Sequence, residues 1–148
     1  MSKLLNGDKQ LSARKHVRRV LSCCCIIAGI TFIAFSPSLE NGFTNWDDGD
    51  YVVNNHDIKA LGLHHLVKVF SSTYLTSYQP LTMLTYMAEY RFFQLNPVVY
   101  HCTSVLLHIL NCLLVFALIY GLSGKYFTSL LVALLFAVHP LRVESVAW

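Results

Sequence analysis

Asp47, Asp48 and Asp50 place three carboxylates within four residues, flanked by Trp46 and Tyr51. Adjacent carboxylates repel each other. The repulsion raises the proton affinity of one of them, which suits a general base, or else the set recruits a cation. The two rings suit a membrane interface, where they can contact a sugar or a lipid headgroup. The same residues also make an ordinary solvated Asp-Gly turn. A second polar group comes near the C-terminal end, where His139, Arg142 and Glu144 fall within six residues. Arg142 is a natural phosphate partner, and His139 and Glu144 can position it or pass a proton. The plainer alternative is helix-end chemistry, with Pro140 ending a span and Arg142 among headgroups.

His101 and His108 are seven residues apart and so share a helix face, with Asn111 three further on. At membrane depth such groups face protein or a water-filled cavity, and interhelical hydrogen bonding is the simpler role. His64 and His65 read as surface residues. The five cysteines, Cys23, Cys24, Cys25, Cys102 and Cys112, all sit in apolar runs without zinc-site spacing. They read as small buried hydrophobes. The sequence implies no metal and no other cofactor.

The elements that must carry these residues are set by composition. Of 148 residues, 55% are hydrophobic and 13% charged, against about 25% charged in a soluble domain. Too little charge remains to cover a water-facing surface, and lipid is the natural cover for the excess apolar area. Residues 1–19 carry a net +5 and residues 40–97 a net −3. The basic residues form a short tail without aromatic platforms, which excludes a nucleic-acid partner.

Residues 20–39 hold no charged residue, and ~20 apolar residues cross a bilayer core. A cleaved signal peptide competes with an anchor here. Its small-residue site, Ala34-Phe35-Ser36, is followed by Pro37, which disfavours cleavage. Residues 98–122 form a second span. Gly121, Ser123, Gly124 and Lys125 mark a turn, and residues 126–141 form a short third span.

The positive-inside bias makes residues 1–19 a cytoplasmic tail. Residues 40–97 then form an external acidic loop, and residues 142–148 begin a second external loop. On this reading both polar groups reach the same non-cytosolic surface. Within the first loop, Lys59–Phe70 and Pro80–Leu95 have helical apolar spacing, and Pro80 suits a first turn. The expected fold class is all-α membrane: three transmembrane helices plus interfacial helices in the first external loop.

Four blocks in order carry a resemblance: Asn41–Val53, Tyr78–Thr82, Phe93–Pro97 leading into His101 and Leu106–Asn111, and Phe136–Trp148. Together they resemble the N-terminal part of bacterial membrane proteins with tetratricopeptide repeats. Those are related to the eukaryotic transmembrane-and-tetratricopeptide O-mannosyltransferases of the GT-C glycosyltransferase fold. The resemblance covers about residues 36–148. It implies a partial GT-C-like fold in a bacterial inner membrane, and sugar transfer from a polyprenyl-phosphate-linked donor to a protein or glycan acceptor at the external face. By the same resemblance, Asp47 and Asp48 match a first-loop carboxylate pair that supplies the base. Arg142, with His139 and Glu144, lies in a matched block and so in the site region, and its charge makes it the candidate to stabilise the leaving phosphate. Such enzymes have many more spans, so this chain is expected to be a fragment, inactive alone. The competing readings are a non-enzymatic membrane scaffold or assembly protein, and a transporter fragment whose histidines carry protons.

Overall fold

A computed structural model describes residues 2–60 and 62–147, with side chains from residue 10 onward. Leu61 and Trp148 lie outside the described residues, as do the side chains of Lys3, Asp8 and Lys9. The described residues form six α-helices: α1 Ser2–Phe35, α2 Leu63–Ser71, α3 Pro80–Phe93, α4 Pro97–Ser123, α5 Tyr126–Ala137 and α6 Val143–Val146. Short helical turns occur at Ser36–Glu40, Gly49–Val53 and Pro140–Arg142.

Proline and glycine set these boundaries. Pro37 follows the end of α1. Pro80 and Pro97 open α3 and α4, where a missing N–H costs nothing. Gly124 ends α4 in the left-handed region, at φ +66°. Its N–H donates to the Tyr120 carbonyl at 2.9 Å, which satisfies one orphan acceptor of the helix end.

Two helices are long and apolar enough to cross a membrane, Gln10–Glu40 and Pro97–Ser123. α1 also continues through the basic segment, which contains no proline. At 34 residues it is ~51 Å long against a core of ~30 Å, so its basic half reaches into water. α5 has 12 residues and is too short alone, at ~18 Å. It bends by 57° into Pro140–Val146, and the pair makes a third span if taken together. The bend falls where Pro140 removes a backbone donor.

The chain divides into two units, Met1–Ser38 with Ser104–Trp148, and Leu39–Thr103. In the first, the helix unit, Cys23 and Ile27 of α1, Cys112 and Phe116 of α4, and Ala133 and Ala137 of α5 form the core. Ser129, Ala133 and Ala137 are all fully buried. Small residues every four positions let helix backbones approach closely, which drives association where lipid supplies no hydrophobic force. Thr31, also fully buried, donates its hydroxyl to the Ile27 carbonyl at 2.7 Å and so needs no interhelical partner.

Ala133→Leu is therefore expected to lower helix-unit stability by about 1–3 kcal/mol through overpacking. Leu135→Ala, on an exposed face, should change it far less. Denaturant titration of both variants in the same micelle checks the contrast.

In the second, the loop unit, Val52, Ile58, Val69, Met83, Met87 and Tyr100 form the core. α2 and α3 bury their apolar faces there. The helical spacing expected over Lys59–Phe70 and Pro80–Leu95 is realised as α2, which starts four residues later and ends one later, and as α3, which starts at Pro80 and ends two residues earlier. Between them, Tyr74 and Ser77 exchange backbone hydrogen bonds of 2.9 and 2.8 Å. The turn they close holds Leu75 and Thr76 at φ +45° and +80°. Branched side chains rarely adopt this region, so the turn is kept by its surroundings: Tyr51 donates its hydroxyl to the Tyr74 carbonyl at 3.2 Å.

Asp57 joins the loop unit together. Lys68 Nζ lies 2.6 Å from its Oδ1, and the Tyr74 hydroxyl donates to its Oδ2 at 3.1 Å. Burial alone raises the Asp57 pKa, but the hydrogen bonds from Lys68 and Tyr74 and the Lys68 charge outweigh it and hold the carboxyl below its ordinary value. The same contact and burial push the Tyr74 phenol up to about 12. A depressed carboxyl pKa adds stability that is present above the unfolded-state value, about 3.9, and lost as pH falls through the folded value. Asp57→Ala should thus destabilise the loop unit at pH 7 by about 1–3 kcal/mol, with the gap from wild type closing below about pH 4. Unfolding followed by tyrosine fluorescence across that range reads it.

Candidate functional site

The carboxylate-rich stretch becomes a tight turn at the start of the loop unit. The Asp47 carbonyl accepts from the N–H groups of Asp50 and Tyr51, at 3.0 and 2.9 Å. Asp48 Oδ2 accepts from the Thr44 N–H at 2.7 Å and the Thr44 hydroxyl at 3.3 Å. The two adjacent acids therefore differ. Asp48 is half-buried and fixed by Thr44. The Asp47 carboxylate is exposed, on a backbone that its own carbonyl pins. An exposed acceptor on a rigid turn can take a proton from a docked hydroxyl, while a carboxylate whose Oδ2 is already engaged by Thr44 is better placed to hold the turn. Trp46 beside it is 74% exposed and offers a flat apolar face.

Behind the turn lies a group that the periodic pattern of the sequence did not single out. Tyr86 and Tyr100 pack with ring centroids 5.8 Å apart, and Phe43 meets Tyr100 edge-on at 5.3 Å. Burial, then the charges of Glu89, Asp48 and Tyr51, push the Tyr86 phenol up to about 12, so it remains a neutral donor. Glu89 is 7% exposed. Thr103 hydrogen-bonds one side of it, while Oε2 is buried without a partner among the described residues. Burial raises its pKa against that hydrogen bond. His101 is also buried, with Nε2 unpartnered among the described residues. The sequence signal for Glu89 was weak but present: one acid in the middle of an otherwise apolar helix.

The C-terminal group lies in the helix unit. His139 caps the turn Pro140–Arg142, its Nδ1 accepting from the Leu141 N–H at 3.3 Å. That leaves the ring proton on Nε2. The Arg142 guanidinium carbon stands 4.9 Å above the Phe136 ring. Its Nε is buried without a partner among the described residues, so a buried charged donor awaits an acceptor. Glu144 is exposed and forms no ion pair with Arg142. The expected His139–Arg142–Glu144 cooperation thus reduces to a capped turn that presents Arg142. His108 Nε2 lies 2.9 Å from the Ala137 carbonyl. A carbonyl only accepts, so the imidazole donates, capping α5 across the helix unit in the interhelical role. Among the described residues no three His, Cys, Asp or Glu side chains gather to hold a metal ion.

Over 146 residues, 82% of its length, the chain is 34% identical to protein O-mannosyl-transferase TMTC4 of Homo sapiens. This chain is a homologue of the TMTC protein O-mannosyl-transferases. It is 29% identical to human TMTC1 over 156 residues, 95% of the chain, and 30% identical to human TMTC3 over 82% of the chain. The chain spans about a fifth of the length of these relatives, 19% of TMTC4 and 17% of TMTC1. No family model and no solved structure matches it. The relatives named here are animal proteins, and the matches carry no sign of the bacterial source that the sequence blocks resemble. The chain is thus a homologue of O-mannosyl-transferases, and its described residues include two or three apolar helices able to cross a bilayer.

Proposed function

We propose that this chain contributes the acceptor-activating turn and a donor-binding arginine to a membrane O-mannosyl-transferase of GT-C-like fold. The donor is a polyprenyl-phosphate-linked mannose and the acceptor a hydroxyl of a protein, met at the external face. The supporting observation is the Asp47 carboxylate, exposed on a rigid turn beside an Asp48 that Thr44 engages. It lies in a chain 34% identical to a named O-mannosyl-transferase. Asp47 takes the proton as the acceptor oxygen attacks the anomeric carbon. The bond from that carbon to the lipid phosphate breaks, and negative charge collects on the leaving phosphate. Arg142 stabilises that charge with its unmatched N–H, and His139 Nε2–H is a second donor on the same turn. No step requires a metal.

The setting is a bacterial inner membrane with residues 1–19 cytoplasmic, as the basic bias supports, and tetratricopeptide repeats beyond the segment described. Cysteine labelling tests the orientation: in a cysteine-free background, Asp47→Cys and Glu144→Cys should both react with an impermeant maleimide added outside. Labelling from opposite sides refutes the shared surface that the mechanism needs. Two or three helices do not enclose both a lipid donor and an acceptor peptide. The 148-residue chain assayed alone should therefore show no mannosyl transfer, and clear turnover would overturn that expectation.

A further inference from the structure

The opposite end of the helix unit holds a second feature that mannosyl transfer does not use. Lys15, Arg18, Arg19, Ser22 and Cys23 of α1, together with Tyr126 at the start of α5, line a cavity of about 430 Å³. The α1 residues follow the spacing of one helical stripe. It is the stripe that, further along, buries Cys23 and Ile27 in the core. Three exposed cations thus continue the packed seam past its apolar end, along an open groove beside the start of α5.

No acidic side chain lines the cavity, and none of the three cations forms an ion pair among the described residues. The wall is ordered by aromatic contacts. The Arg19 guanidinium lies 5.9 Å from the Tyr126 ring centroid. The Tyr126 hydroxyl meets His16 Nδ1 in a close hydrogen bond, and Tyr120 packs on Tyr126 with ring centroids 4.7 Å apart. The Ser22 hydroxyl is engaged with the Arg18 carbonyl at 2.9 Å. Like charges held at one cavity repel one another, and an anion between them removes that cost. The cavity lies where α1 passes from charged to apolar sequence at Val20, the depth of headgroups. Its volume is that of a ligand site, about 300–1,000 Å³.

We infer that this cavity binds the headgroup phosphate of an anionic phospholipid. Basic pockets between transmembrane helices bind acidic headgroups because the cations neutralise the phosphate while the acyl chains lie along the apolar helix faces. Here Ile26, Ile30 and Ile33, exposed on α1 at the spacing of one helical face, supply such a face.

The test uses the full chain purified in neutral detergent, where orientation in a membrane plays no part. Phosphatidylglycerol, phosphatidylcholine or inorganic phosphate is added, and bound lipid is read by native mass spectrometry. Phosphatidylglycerol should be retained and phosphatidylcholine should not. A variant that relocates charge (Arg18→Gln and Arg19→Gln with Gln10→Arg and Ser12→Arg) should lose about tenfold or more of the retention. Arg14→Gln, outside the cavity, should keep it. Lys15→Gln is the milder variant should the relocated protein not fold, and a loss of about fivefold is expected. Equal retention of phosphatidylcholine, full retention by the relocated or Lys15 variant, or displacement of the lipid by equimolar inorganic phosphate would each overturn the assignment. The last outcome would make soluble phosphate the ligand.

Discussion

Asp47→Asn is expected to lower mannosyl transfer by about 10²–10⁴ in a full-length protein carrying this segment, with expression and acceptor binding unchanged. The size follows from what the substitution removes. The amide keeps the shape of the carboxylate and fits the exposed turn without disturbing the Asp47 carbonyl, which accepts from Asp50 and Tyr51. It cannot take a proton. Asp48→Asn should behave differently, because Asp48 is engaged with the Thr44 N–H and hydroxyl. An amide oxygen can still accept both bonds, so activity should fall less. Transfer from polyprenyl-phosphate mannose to a peptide, with turnover measured separately from acceptor affinity, distinguishes the two. Equal losses for both variants would show the acids acting as an indivisible pair. Unchanged activity for Asp47→Asn would remove that residue from the chemistry.

Glu89→Gln should stabilise the loop unit at pH 8 by about 1–3 kcal/mol, because the amide fills the same space without a buried charge that lacks a partner. Glu89 is 7% exposed, with Oε2 unpartnered, and burial raises its pKa. For an acid whose folded pKa lies above the unfolded value, the native state binds the proton more tightly. Its contribution is then fully present below the unfolded value, about 4.3, and is lost as pH rises through the folded value. Wild type should lose stability on going from pH 5 to pH 8, and Glu89→Gln should lose less. Asp57 has the opposite sign, so the loop unit is weakened on both sides of a mildly acidic optimum. Identical pH profiles for wild type and Glu89→Gln would show that Glu89 is solvated in the folded protein.

Much of the helical layout follows from local chemistry. An uncharged stretch from Val20 and another from Pro97 to Gly124 leave a helix as the way to satisfy backbone groups in lipid. Pro80, Pro97 and Gly124 then mark ends by removing a donor or permitting a positive φ. The Asp47-Asp48 stretch stands out because three acids in four residues are rare in so apolar a chain. Sequence also carries the kinship with O-mannosyl-transferases, since the 34% identity to human TMTC4 extends over 82% of the chain.

Contacts between residues far apart in the chain are decided elsewhere. Asp48 differs from Asp47 through Thr44 only four residues away, a contact within the turn that helical propensity does not reveal. Lys68 reaches Asp57 across eleven residues, and His108 reaches Ala137 across twenty-nine. The cavity gathers Tyr126 with Arg18 and Arg19 from opposite ends of the sequence. Propensity and hydropathy act over a few turns of helix, so they determine which segments are helices. The faces those helices bury, and hence which charges end up unmatched, depend on packing between segments, which only the tertiary structure supplies.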